Sequence, residues 1–280
     1  ADILTSAHQK VILPDLAAGC SMADMATANQ VNQCWKDLEN IGVASTTVPV
    51  TYMNSSAAIK SFTGEHGGTI CTSSNAQKTL EWAFAKAEKV LFLPDQHLGR
   101  NTAVLSLGLS LEDCVLWNPW KPMGGLTEDE IRGAKMILWR GHCSVHGRFT
   151  RDSVNEVRER VPGVQVIVHP ECQHEVVMAA DVVGSTEKII QTVTNSAPGS
   201  KWAIGTELNL VSRLAQNNPD KEIVFLDKTV CYCSTMNRID LPHLVWAMES
   251  VLAGHIVNQI RVEERVARLS KLALEQMLAL

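Results

Sequence analysis

The sequence predicts an α/β fold built from parallel sheets, on two observations. Short apolar runs rich in β-branched residues alternate with helical patterns along most of the 280 residues, which is typical of strands buried between helices. Three of these runs are followed by a short loop, a cysteine and a helical pattern, and the cysteines are Cys20, Cys143 and Cys233. Loops after parallel strands share one edge of a sheet and carry the chemistry of such folds.

The strand signals group into units that each end at one of these cysteines. The second and third units have four signals each, at residues 48–54, 68–76, 89–99 and 135–143, and at 165–176, 180–190, 201–211 and 222–233. The first unit has one signal, before Cys20. We therefore expect three similar units in a pseudo-threefold arrangement. The first would be incomplete by three strands, which is on the order of 70 residues at ~20–25 residues per strand–helix pair.

The same grouping gives expected domain boundaries. The first unit should comprise residues 1–45 and the C-terminal helices of 234–280, the second residues 46–143 and the third residues 144–233. The stretch at about 110–134 is rich in Pro, Gly and Trp, and we expect it to be an insertion in the second unit that forms an outer loop. Cys114 lies in it and is not expected to bind metal. Residues 1–8 read as the end of a helix, and the tail at 258–278 as an amphipathic helix.

Composition narrows the class of protein. The formal net charge of −5 argues against nucleic acid as a partner. No run of 18 apolar residues occurs, so no membrane span is expected. There is no signal-peptide pattern at residues 1–19. Eight cysteines without secretory features indicate a reducing compartment and metal or catalytic use, so we expect a cytoplasmic protein.

Three thiolates from three loops would bind a metal centre and leave one position open, because tetrahedral zinc and four-iron clusters take four ligands. An open position is typical of a catalytic site. Ligand identity alone does not separate iron from zinc. The alternative for any one cysteine is that it packs as a small hydrophobe, which we expect for Cys34.

Nine motifs follow one another along essentially the whole chain. They are PDLAAGCSMADM, TYMNSSA, CTSSNA, FLPDQHLGRN, GHCSVHGRF, HPEC, GSTEKI, GTELNLVSRL and CYCSTM. Taken in this order, they resemble the motif series of the bacterial quinolinate synthase family. The resemblance implies three α/β units that each give one cysteine to a central [4Fe-4S] cluster with one open iron. It also implies condensation of iminoaspartate with dihydroxyacetone phosphate to quinolinate, with loss of water and phosphate, for NAD biosynthesis.

Carried over residue by residue, the resemblance implies three cluster ligands, Cys20, Cys143 and Cys233. The ligand of the family lies three residues before a Met, and Met236 therefore indicates Cys233 rather than Cys231 as the ligand. The implied substrate-binding positions are Tyr52, Asn54, Ser73, His146, His169, Glu171, Ser185 and Thr186. The family's amino-terminal histidine–tyrosine motif and its following serine have no counterpart here, and we expect them to belong to the missing strands.

The residue types suit such chemistry. Hydroxyls at helix N-termini, such as Ser185 and Thr186, can bind anionic substrates, although the same residues also serve as helix caps. We expect Tyr52, His146, His169 and Glu171 to be the catalytic residues. The two histidines titrate near neutral pH, and burial would raise the pKa of Glu171 so that it acts as a base. The open iron would act as a Lewis acid without electron transfer.

Two other functions stay open at this point. One is a related three-cysteine cluster enzyme that uses electron transfer, and the other is a non-enzymatic iron–sulfur sensor or scaffold. The expected partners are the two small-molecule substrates and the enzyme that supplies iminoaspartate, L-aspartate oxidase or aspartate dehydrogenase. A homodimer is one open oligomeric state.

Overall fold

The computed structural model describes residues 1–6, 8–229 and 232–280. Its strands are β1 (Val11–Ile12), β2 (Thr47–Tyr52), β3 (Thr69–Cys71), β4 (Lys89–Leu93), β5 (Cys114–Trp117), β6 (Met136–Trp139), β7 (Gln165–Val168), β8 (Val182–Val183), β9 (Lys201–Gly205), β10 (Glu222–Phe225) and β11 (Gln259–Ile260). Its α-helices are α1 (Ala28–Asn40), α2 (Ala57–Glu65), α3 (Ala76–Lys86), α4 (Gln96–Leu107), α5 (Glu128–Gly133), α6 (Arg151–Arg160), α7 (His174–Ala179), α8 (Thr186–Thr194), α9 (Leu208–Asn217), α10 (Leu241–Leu252) and α11 (Glu264–Leu278).

The second unit is a five-stranded parallel sheet in the order β3-β2-β4-β6-β5, with helices on both faces. Strand β4 shows why its sequence is continuously apolar. Leu91 and Leu93 pack with α1 and α2 on one face, whereas Val90 and Phe92 pack with α3 and α4 on the other. A strand covered on both faces loses the alternation of apolar and polar residues.

The third unit is a four-stranded parallel sheet in the order β10-β9-β7-β8. Helices α6 and α7 cover one face and α8 and α9 the other. The two units share a strand order. In the second unit the first strand, β2, lies between β3 and β4, and β6 lies beside β4. In the third unit the first strand, β7, lies between β8 and β9, and β10 lies beside β9. The prediction of repeated parallel α/β units is confirmed for these two.

The stretch at 110–134 differs from the expected outer loop. Residues Cys114–Trp117 form β5, which pairs in parallel with β6 at the edge of the second sheet. Trp117 is buried in the core beneath α1. The expectation of a loop was wrong because the Pro- and Gly-rich residues that flank the strand dominate the local pattern.

The two ends of the chain meet. In the described part of residues 1–8, the chain forms a short 3-10 turn, Asp2–Leu4, rather than the predicted helix end. Strand β1 pairs antiparallel with β11, while α11 packs against α2 and β3 of the second unit. Gly64 permits this packing, since a Cβ there would overlap the Leu269 carbonyl. The amphipathic helix predicted in the tail is confirmed, and the domain boundaries stay predictions.

Helix α10 is apolar on nearly every side but is mostly exposed. Only Ala247 is buried in it, and Leu252 is 86% exposed. Across the described ranges, every helix falls short of the length or apolarity that crossing a membrane requires.

Candidate active site

The loops at the carboxyl ends of four strands converge where the two large units meet. Tyr52 ends β2, Cys143 follows β6, Glu171 follows β7 and Thr206 follows β9. The buried polar side chains of these loops are Tyr52, His146, His169, Glu171 and Thr206. The structure therefore gathers the predicted catalytic side chains at the sheet edge where parallel folds place their sites.

Close backbone packing positions the Cys143 loop. Asp95 and Gly141 form an isolated parallel bridge, and the Gln96 amide donates to the Gly141 carbonyl at 2.9 Å. A Cβ at position 141 would overlap the Pro94 carbonyl, so only glycine allows this approach. The Cys143 carbonyl then accepts from the Gly147 amide at 2.9 Å, which closes the turn that carries His146.

His146 is bonded at both ring nitrogens. Its Nδ1 donates to Glu171 Oε2 at 2.9 Å, and its Nε2 lies 3.2 Å from Thr206 Oγ1. Burial disfavours protonation of the ring, but the negative charge of Glu171 and the hydrogen bonds to Cys143 and Glu171 together outweigh burial and raise the pKa of His146 to about 10. The two side chains form a buried ion pair at neutral pH.

The pKa of Glu171 corrects the expectation from sequence. Burial alone would raise it, as predicted. The imidazoles of His169 and His146 outweigh burial and lower the pKa of Glu171 to about 2. The carboxylate is therefore ionised at neutral pH and is a weak base.

His169 stacks on His146 with the ring centroids 4.5 Å apart. The Glu171 amide donates to His169 Nδ1 at 3.3 Å, so this nitrogen is unprotonated and the ring proton lies on Nε2. Burial lowers the pKa of His169 to about 3. His169 is thus a neutral donor through Nε2 at physiological pH.

Two further acids border the carboxylate. Burial and the charge of Glu171 raise the pKa of Tyr52, so its hydroxyl keeps its proton. The same two causes raise the pKa of Asp95 to about 8. Asp95 caps α4 through Oδ1, which accepts from the Leu98 amide at 2.6 Å, and its buried Oδ2 has no partner among the described residues.

A polar cleft between the two units adjoins this pocket. Predicted residues Ser73 and Ser185 both line it, together with Lys188 and Pro170, which separates His169 from Glu171 in sequence. Ser185 also caps α8 by accepting from the Lys188 amide at 3.3 Å, so the expected dual use is possible. The side chains of Asn54 and Thr186 are exposed and lie outside the buried set.

The cysteines divide by exposure. Cys20, Cys143, Cys233 and Cys114 are half-buried and free, whereas Cys34, Cys71 and Cys172 are buried. The packing role expected for Cys34 is confirmed. Cys20 and Cys143 border the same apolar cluster, and Cys233 lies in the turn before α10 with its Sγ 3.4 Å from Thr235 Oγ1. Cys231 lies outside the described residues.

The donor chemistry fits the cluster that the sequence implies, since three free, partly exposed thiols stand on separate loops. A single ion is a second possibility, because ligand atoms of Cys143, His146 and Glu171 lie within 4.8 Å of one another. However, both nitrogens of His146 already have partners, which argues against His146 as a metal ligand.

Sequence reasoning missed Asp95 and two residues that hydrogen-bond the predicted side chains or their turn. Thr206 bonds His146, and Asn101 bonds the turn that carries Glu171. Both lie inside motifs that signalled the family, GTELNLVSRL and FLPDQHLGRN. Their partners are 60 or more residues away in the chain, so no local pattern could assign them.

A buried acid–imidazole pocket beside a polar cleft, at the carboxyl edge of parallel strands, defines an α/β enzyme that handles polar small molecules. The family described as "Quinolinate synthetase A protein" matches residues 1–279. The chain is similar to the quinolinate synthase of Streptomyces coelicolor, with 71% identity over 282 residues that cover all of this chain and 72% of the relative. It is 64% identical over 286 residues to that of Nocardioides sp., covering 73% of it, and 54% identical over 279 residues to that of Corynebacterium glutamicum, covering 71%.

The chain belongs to the quinolinate synthetase A family and is an enzyme of NAD biosynthesis.

Proposed function

We propose that this chain condenses iminoaspartate with dihydroxyacetone phosphate to give quinolinate, with loss of phosphate and water. The observation that carries the proposal is the convergence of Tyr52, His169 and Glu171 in one buried pocket that opens beside the cleft lined by Ser73 and Ser185. The pocket supplies donors and one fixed carboxylate, and the cleft supplies hydroxyls for an anionic group.

Each pocket residue has a role that follows from its protonation state. The Tyr52 hydroxyl keeps its proton and donates to the Glu171 carboxylate. His169 Nε2–H is a neutral donor, suited to a carboxylate or carbonyl oxygen of the substrate. Ionised Glu171 is an acceptor suited to the substrate's nitrogen or a hydroxyl. These fixed groups would orient the two substrates for bond formation without the reorganisation that water requires.

His146 is best assigned to holding Glu171. Its ring stands between Glu171 and Thr206, so neither nitrogen is free to reach a substrate directly. A proton on His146 Nδ1 can move along its hydrogen bond to Glu171 Oε2, whose heavy atoms are 2.9 Å apart, as the substrate changes charge. We therefore propose that the pair, rather than either residue alone, moves protons during the eliminations.

Cys20, Cys143 and Cys233 are the residues proposed to hold the [4Fe-4S] cluster. When bound, its open iron would supply Lewis-acid chemistry at a hydroxyl or carboxylate oxygen without a change of oxidation state. The substrate iminoaspartate is proposed to come from L-aspartate oxidase or aspartate dehydrogenase. Cytoplasmic location and a homodimer stay proposals of the same kind.

The test is quinolinate formation by anaerobically purified, iron-loaded chain from the two substrates. We expect turnover to persist with the centre held in one oxidation state and no reductant present. A strict requirement for electrons would instead support the related electron-transfer enzymes. Absence of turnover in a protein with a full complement of iron and sulfide would contradict the proposed reaction.

A further inference from the structure

A buried amide joins the two large units at the pocket. Asn101 lies on α4 of the second unit and is 1% exposed. Its Nδ2 donates across the boundary to the Pro170 carbonyl at 2.8 Å and to the Cys172 carbonyl at 2.9 Å. These two carbonyls belong to the residues on either side of Glu171.

The amide of Asn101 uses its full donor capacity on this turn. An amide NH2 has two protons, and each is placed on one of the two carbonyls. Its Oδ1 lies 2.8 Å from His174 Nδ1. Since Oδ1 can only accept, His174 donates through Nδ1. This network fixes the orientation of the Asn101 side chain.

Other hydrogen bonds also hold this turn, among them those from the His169 amide and the Cys172 thiol to the Gly205 carbonyl. Within the turn, the Glu171 amide donates to His169 Nδ1 at 3.3 Å, and the Cys172 amide donates to the His169 carbonyl at 3.0 Å. Both of these bonds stay inside the third unit. The bonds from Asn101 tie the backbone of this turn to the second unit. Tyr52, also of the second unit, is hydrogen-bonded to the Glu171 carboxylate itself, so the two links hold the backbone and the side chain of Glu171 separately.

We infer that Asn101 is a positioning residue, which fixes the backbone on both sides of Glu171 and so sets where that carboxylate stands relative to Tyr52 and Cys143. The inference rests on the proposed function, because it gives Glu171 a part in the reaction. A displacement of a reacting group by about 1 Å can lower a rate about 100-fold, so loss of this bridge should be visible in kcat.

The test compares Asn101→Leu and Asn101→Asp with a matched control, Asn218→Leu. Asp keeps the oxygen that faces His174 but removes both donors. Asn218 is also buried and its Nδ2 donates to the Leu214 carbonyl at 2.8 Å, yet it lies at the end of α9 and makes no contact with Glu171 in any bond described. Each variant is first checked for folding by its melting temperature.

Two readouts are measured on the full chain. The first is hydrogen–deuterium exchange of the peptide covering 169–177, which we expect to speed up about tenfold in both Asn101 variants as the turn opens locally. The second is kcat for quinolinate, which should fall about 10- to 100-fold with little change in KM. Asn218→Leu should leave both readouts at the wild-type level.

A double variant shows whether Asn101 acts through Glu171. In a Glu171→Gln background, adding Asn101→Leu should cost less than about threefold in kcat, because coupled residues are not additive. Additive losses would overturn the inference, as would wild-type exchange and kcat in Asn101→Leu. Wild-type behaviour of Asn101→Asp would also overturn it, because the His174 contact would then be the important one.

Full activity of Glu171→Gln would refute the proposed role of Glu171, whereas the exchange experiment would still decide on the positioning of the turn.

Discussion

The loops of Cys143 and Cys233 follow the same sequence pattern but lie in different surroundings. Cys143 stands beside the buried, hydrogen-bonded pair of His146 and Glu171 and beside the apolar cluster of the second sheet. Cys233 stands in a turn before α10, whose apolar side chains are largely exposed. The difference shows that a strand–loop–cysteine–helix pattern predicts where a thiol lies in the topology, whereas its environment depends on what packs around it.

The largest expected effect lies in the buried region. Glu171→Gln removes the charge that pairs with His146 while keeping the shape, so we expect kcat to fall about 10²- to 10⁴-fold, the range of a lost acid–base group. The control is Glu175→Gln, an exposed carboxylate on α7 four residues later. Steady-state quinolinate formation measures both. Equal activity of the two variants would contradict the assigned pocket.

The second sheet is tightly packed and α10 is exposed, and substitutions in the two places should change the free energy of unfolding by different amounts. Phe92→Ala removes a fully buried ring from the second sheet and should lower the free energy of unfolding by about 3–5 kcal/mol. Leu252→Ala removes a side chain that is 86% exposed and should change it by less than about 0.5 kcal/mol. Urea unfolding compares the two. A large loss in Leu252→Ala would mean that α10 is covered in solution.

Two buried lysines, Lys60 and Lys89, allow an effect on substrate binding to be distinguished from an effect on the free energy of unfolding. Lys60 donates to the carbonyls of Met53 and Ser55, which flank Asn54. In Lys60→Met the two carbonyls lose their partner, which should lower the free energy of unfolding by about 1–3 kcal/mol. Because the backbone on both sides of Asn54 is then no longer fixed, KM should rise about tenfold. Lys89 makes the same kind of contact with the carbonyls of Arg132 and Ala134, far from the pocket. Lys89→Met should cost similar stability and leave KM unchanged. An unchanged KM in Lys60→Met would remove Asn54 from the proposed site.

The smallest expected effect is a pH dependence away from the site. His66 packs on the rings of Trp35 and Phe62, and this burial lowers its pKa below 6.5. The negative charges of Glu65 and Glu39 act in the other direction but are the smaller effect. As the pH falls below 6.5 the unfolded chain takes up this proton first, so the contribution of His66 to stability is present above that pH and is lost below it. His66→Gln should show a shallower loss of stability between pH 6.5 and 5. Identical slopes would contradict the assignment.

Much of the fold follows from local patterns, and the site follows only in part. Continuous apolar runs such as β4 predicted parallel strands, because both faces are covered. Strand β5 was not predicted because the Pro-, Gly- and Trp-rich residues around it dominate the local pattern. The downward shift of the Glu171 pKa was not predicted, because besides the neighbouring His169 it depends on His146 and Tyr52, which are distant in sequence. Thr206 and Asn101 also act through partners that only the assembled units bring near.

Iron and sulfide analysis of the anaerobically reconstituted chain, with an absorbance spectrum, tests the central claim most directly. The variants to compare are Cys143→Ser, Cys233→Ser and the control Cys114→Ser, whose thiol is also half-buried. We expect about four irons per chain in the wild type and in Cys114→Ser, and loss of the iron in both Cys143→Ser and Cys233→Ser. Full iron content in Cys233→Ser, or one tightly bound zinc in place of iron, would contradict the proposed three-cysteine cluster.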